Sequence, residues 1–132
     1  HFLLSVLNPQ NEDRLILAAC REIHHARGNC QISKLARHLG FSKRTLERRF
    51  FNHIGATPKK FARVIRLRHA ILQRPSLSSW AEVAHEMGYF DQSHMIHDFM
   101  EFYGISPEAL YPQVNASQTI HFSGLLNLHL EH

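Results

Sequence analysis

The chain has 132 residues, 44% of them hydrophobic and 20% charged, which suits one soluble globular domain, or two very small subdomains sharing a core, rather than a disordered chain. No apolar run approaches the roughly 18 residues of a membrane-crossing helix, and HFLLSVLNPQ has neither the basic start nor the cleavage site of a signal peptide. The formal charge of +4 conceals a segregation: all 15 Lys and Arg lie at or before Arg74 with four acids, giving +11, and from Pro75 onward seven acids and no Lys or Arg give −7, as a polyanion-binding half would.

The first residues, 1–12, read as the remnant of a linker: the chain opens on His1 without a Met, as a piece of something longer would. Asn8-Pro9 supplies a cap and a first helical residue for a helix to about Arg27, ended by Gly28-Asn29. Its apolar stripe is Leu15, Ile16, Ala19, Cys20 and Ile23. A short helix from about Ile32 to Leu39 stops at Gly40, and Ser42 caps the next, Lys43 to about His53, which stops near Gly55. Thr57-Pro58 starts a longer helix to about Gln73, expected to bury Phe61, Ile65, Leu67 and Leu72.

The second half repeats this grammar. Ser79-Trp80-Ala81-Glu82 is a capping box opening a helix to about Met87, Gly88 stops it, and Asp91 caps a helix to about Phe102 that Gly104 ends. Ser106-Pro107 opens a last short helix ending near Tyr111. Residues 112–132 form a C-terminal tail of weak periodicity, a mobile or docking segment, with Leu130-Glu131-His132 as an expression-tag remnant. No alternating strand pattern occurs, so the expected fold is all-α with about seven helices.

The two halves match position by position. GFSKRTLERRFFNHIGATP (Gly40–Pro58) and GYFDQSHMIHDFMEFYGISP (Gly88–Pro107) share their skeleton, so that Leu46, Phe50, Gly55 and Pro58 are followed 49 residues later by Met95, Phe99, Gly104 and Pro107. Ala36, Gly40 and Leu46, with Ala84 and Gly88 in the second copy, have helix-turn-helix spacing: a small residue lets the second helix cross closely, Gly permits the left-handed turn, and an apolar residue anchors the second helix. This divides the chain into a first helix-turn-helix subdomain (13–57), a linker helix (58–74) and a second subdomain (75–111).

On the helix from Lys43, Leu46, Phe50 and His53 lie along one side; Arg44, Arg48 and Phe51 point the opposite way, with Glu47 beside them. Such an exposed stripe is what enters a major groove: Arg44 and Arg48 can fork onto guanine O6 and N7, and Glu47 can accept from a cytosine amino group. Ser42, Lys43, Thr45 and Arg49 fall where phosphates would lie. Phe51 either touches a thymine methyl or covers a neighbouring helix.

The strings ISKLARHLGFSKRTLERRF, GATPKKFARVIRLRHAILQ and EVAHEMGYFDQSHMIHDFMEFYGISPEAL resemble the DNA-binding domain of AraC-type transcription regulators over about Asp13 to Tyr111. The resemblance implies two helix-turn-helix subdomains on one long helix, with recognition helices 43–53 and 92–102 entering successive major grooves. It implies a bacterial cytoplasmic, nucleoid-associated regulator with double-stranded DNA as partner, contact with RNA polymerase, and a separate N-terminal effector or dimerisation domain. By position it places the first base-reading set on Arg44, Glu47 and Arg48 and the second on Gln92, Ser93, His94 and His97.

Two positions depart from the family pattern: His97 stands where Arg is usual and Met100 where Lys or Arg is usual. Between Gln92 and Phe102 the ionised groups at neutral pH are Asp98 and Glu101, for −2, against +3 on the first recognition helix. The first subdomain is therefore expected to supply most of the salt-dependent affinity. The second has three open readings: weak base reading through Gln92 and the histidines; an acidic face meeting a basic protein such as RNA polymerase, which makes the chain a protein-interaction module; or DNA engagement once His94 and His97 gain charge near pH 6. No catalytic residues, cofactor or metal are expected: no nucleophile–base–orienter set or phosphate loop occurs, His94 and His97 lack a third ligand of matching spacing, and Cys20 and Cys30 read as a pair of reduced thiols.

Overall fold

Several helices in this chain begin where a short polar side chain accepts an otherwise unpartnered backbone amide, and several end at or next to a glycine. A computed structural model describes residues 9–111, with side chains from Arg14 onward; Asn8 and the 112–132 tail lie outside the described residues. The helices are α1 (Pro9–His25), α2 (Ile32–His38), α3 (Lys43–Ile54), α4 (Pro58–Gln73), α5 (Trp80–Glu86), α6 (Gln92–Tyr103) and α7 (107–111), with a 3-10 turn over Arg74–Ser76 after α4. No strand occurs among the described residues, so the fold is all-α.

The caps repeat between the halves. Ser42 Oγ accepts the Thr45 amide at 3.1 Å, and Asp91 Oδ1 accepts that of His94 at 2.8 Å. Gly40 and Gly88 both hold left-handed backbone, φ 80° and 78°, which a side chain would strain. Each turn then closes alike, the Phe41 amide donating to Ala36 O at 2.8 Å and the Tyr89 amide to Ala84 O at 3.0 Å. At the far ends of α3 and α6, the Gly55 amide donates to Phe51 O and the Gly104 amide to Met100 O. The capping box at α5 is shifted from its expected register. Ser79 Oγ accepts the Glu82 amide at 3.1 Å, but the Glu82 carboxylate takes the Ser78 amide at 2.9 Å and the Ser78 hydroxyl rather than the Ser79 amide. These bonds from Ser78 hold the exposed Glu82 carboxyl below the usual range.

The described residues form two compact units, divided between Ala62 and Arg63, with α4 running through the boundary. In the first, Ile16, Ala19 and Ile23 of α1, Leu35 and Ala36 of α2, and Leu46 and Phe50 of α3 are buried with Phe61. The Phe50 and Phe61 rings meet edge to face at 5.4 Å. Cys20 and Cys30 are not in a disulfide, and burial pushes the Cys20 pKa up.

The second unit has its own core, centred on Leu67, Ile71, Trp80, Val83, Met95 and Phe99, with Trp80 and Phe99 edge to face at 5.2 Å. Burial pushes the Tyr103 phenol up to about 12 and raises that of Tyr89 further. Leu72 departs from its expected burial: it is 51% exposed while Ile71 is 2% exposed. One residue rotates the helix by about 100°, so in the last turn of α4 Ile71 takes the inward place and Leu72 faces outward.

Candidate nucleic-acid interface

A helix that is to be read by another molecule must be rigid on one side and open on the other, and α3 has this division. Leu46 and Phe50 are fully buried, whereas Lys43, Arg44 and Arg48 are exposed and Glu47 is half-buried. Ser42 and Thr45 sit at its first turn, where the Ser42 hydroxyl donates to Thr45 Oγ1 at 2.8 Å. The stripe of Arg44, Glu47, Arg48 and Phe51 recurs at i, i+3, i+4 and i+7, which keeps four side chains along one face. Phe51 is 54% exposed, so of its two readings the structure leaves it open to solvent rather than sealed against a neighbouring helix.

Arg49 differs from its expected place. It is 7% exposed, and its guanidinium lies over the Phe41 ring at 5.1 Å. At i+3 from Leu46 it falls on the inward side of the helix, so its charge is held against an aromatic face rather than on the outward stripe. Lys34 and Arg37 of α2 and Lys59 and Lys60 of α4, all exposed in the same unit, were not singled out by motif; their signal is the crowding of cations before Ala62.

On α6, Ser93, His94 and His97 are exposed and Gln92 is half-buried. The His94 ring stands edge-on to Tyr89 at 5.7 Å. The 49-residue register sets Ser93, Ile96, His97 and Met100 where α3 has Arg44, Glu47, Arg48 and Phe51; of these Ile96 is half-buried and Met100 is 50% exposed.

The two carboxylates of α6 are both bonded to one arginine, Glu101 at the surface and Asp98 buried. Asp98 is 1% exposed, and its Oδ1 accepts from Arg63 Nε at 3.2 Å and Nη2 at 2.7 Å. The same guanidinium donates to Glu101 and stacks over the Phe102 ring at 4.9 Å. Arg63 lies 35 residues from Asp98, a pairing without a local sequence signal. Among the described residues, His97, Asp98 and Glu101 are a group of metal-ligating types within 4.8 Å of one another. Both carboxylates already hold the Arg63 guanidinium, which supplies the positive charge an ion would bring.

No helix among the described residues is long and apolar enough to cross a membrane. Over 35–111 the sequence matches the family model of a helix-turn-helix domain, more than half of the chain. It is 29% identical over 103 residues to an "Uncharacterized HTH-type transcriptional regulator" of Haemophilus influenzae, covering 77% of this chain and 35% of that protein. It is 26% identical over 87 residues to the "Probable thc operon regulatory protein" of Rhodococcus erythropolis, covering 63% of this chain and 26% of that one. The matched stretch thus spans about a quarter to a third of these curated relatives, and no solved structure matches significantly. With its duplicated turn, its paired caps and this match, the chain belongs to the AraC-type helix-turn-helix family of DNA-binding transcription regulators.

Proposed function

We propose that this chain is the output domain of a bacterial transcription regulator, binding double-stranded DNA sequence-specifically and mainly through α3. The observation that carries this reading is the open stripe of Arg44, Glu47 and Arg48 on a helix held from behind by Leu46 and Phe50. Bidentate guanidinium contacts to guanine and a carboxylate contact to cytosine suit these three side chains. Exposed Lys43 beside the Ser42 cap would meet phosphate and fix the register. In the whole regulator, an effector or dimerisation domain and RNA polymerase are the further partners that the family implies.

Helix α6 contributes less electrostatic affinity. It carries no Lys or Arg, and its two acids are held by Arg63. Its base contacts would come from Gln92, Ser93, His94 and His97 without a cation to anchor phosphate. Selection of binding sites from random duplex DNA, followed by footprinting of the winner, tests the reading. A selected sequence with α3 protecting one major groove is the expected core result. A second protected groove about one helical turn away would show that α6 also reads DNA. Failure to select any sequence would refute the proposal.

A further inference from the structure

The two recognition helices have diverged along their reading stripe but agree at one place. Arg44, Glu47 and Arg48 of α3 correspond to Ser93, Ile96 and His97 of α6, so charge and hydrogen-bonding capacity have changed at all three positions. The fourth position is apolar in both helices, Phe51 and Met100, and in both it is about half exposed, 54% and 50%. Each of these residues also offers its carbonyl to the glycine amide that ends its helix, so the two occupy the same place relative to the helix end. A large apolar side chain left open at matching points of two recognition helices calls for an apolar partner.

The major groove contains one such feature. Base edges there present donors and acceptors, and only thymine adds a projecting C5-methyl group. Phe51 lies seven residues beyond Arg44, roughly 10 Å along the helix, or about three base steps at 3.4 Å per step. We propose that Phe51 reads a thymine by its C5-methyl group, about three base pairs from the base that Arg44 contacts, and that Met100 occupies the corresponding place on α6. This rests on the DNA-binding reading of α3 and adds a recognised base to it.

The test replaces each thymine of the selected duplex, one at a time, by deoxyuridine, which lacks only the methyl group. Equilibrium binding is measured for the unsubstituted chain and for Phe51→Ala, Met100→Ala and Leu17→Ala, the last an exposed apolar residue of α1. One thymine should show a loss of about fourfold on replacement, the equivalent of burying a single methyl-sized group. With Phe51→Ala that loss should vanish, while Met100→Ala and Leu17→Ala should retain it. Because Phe51 is exposed, the variant should melt where the unsubstituted chain does, so that weakened binding cannot be assigned to unfolding. Deoxyuridine neutral at every position, or a loss that persists in Phe51→Ala, overturns the proposal. If a sequence is selected and Arg48→Ala weakens binding while every deoxyuridine is neutral, only the methyl contact fails; if nothing is selected, both readings fail together.

Discussion

At the scale of the residue, position on the helical wheel decides what an arginine does. Arg44, Arg48 and Arg49 are near neighbours on one helix, yet the first two are exposed and the third is packed over Phe41. Arg48→Ala should therefore weaken binding to the selected site by about 1–3 kcal/mol and relax the preference at one base position. Competition among duplexes that vary at single positions measures this; an equal loss on all of them would make Arg48 a phosphate ligand. The outward stripe was legible in the sequence because a 100° step needs no tertiary information. The inward direction of Arg49 follows from the same step, but its packing over Phe41 does not, because a guanidinium can be buried wherever an aromatic ring lies against it, and Phe41 is in the turn.

At the scale of the element, α6 is held by a charge that comes from another helix. Arg63 of α4 bonds Asp98 and Glu101, and Asp98 Oδ2 is buried without a hydrogen-bond partner. Removing Arg63 leaves a buried carboxylate uncompensated, which costs about 3–5 kcal/mol in fully buried pairs. With 26% of the Arg63 side chain in solvent, Arg63→Ala should lose about 3 kcal/mol, the lower end of that range. Denaturant unfolding checks this, and a loss under about 1 kcal/mol would mean that the ion pair is dispensable. Replacing both partners, Arg63→Met with Asp98→Leu, should restore much of the stability, since no charge then stays buried. The helix boundaries themselves were legible from Ser42, Asp91 and the glycines, which act within four residues of their own position. The shift of Glu82 from Ser79 to Ser78 was not, because two adjacent serines offer an amide there and the sequence pattern does not choose between them.

At the scale of the whole molecule, charge follows the folded units rather than the midpoint of the sequence. Up to Ala62 there are eleven basic and four acidic residues; from Arg63 there are four arginines and seven acidic residues. The break expected at Arg74 therefore softens, since Arg63, Arg66 and Arg74 serve the second unit. Arg66 lies over Tyr89 at 5.2 Å, and Arg74 lies over Tyr111 at 4.5 Å and donates to Leu77 O at 2.8 Å. The first unit remains the cationic one, and its phosphate contacts should dominate the salt dependence of binding. Lys43→Ala should lower the slope of log affinity against log salt by about 0.9 while leaving base preference intact. Titrations at several salt concentrations test this, and an unchanged slope would place Lys43 off the phosphate backbone.

The amino-acid sequence by itself determined the helices, the duplicated turn and the open stripe of α3, because caps, glycine turns and the helical period all act through near neighbours. Tertiary structure alone decided that both carboxylates of α6 are met by Arg63, that Arg49 packs over Phe41 and that the arginines of α4 beyond Ala62 belong to the second unit. Each of these depends on which distant side chain arrives beside a charge or an apolar face. Arg63 and Asp98 acquire their roles only when α4 and α6 pack, since a buried carboxylate must be met by a cation wherever the chain can bring one.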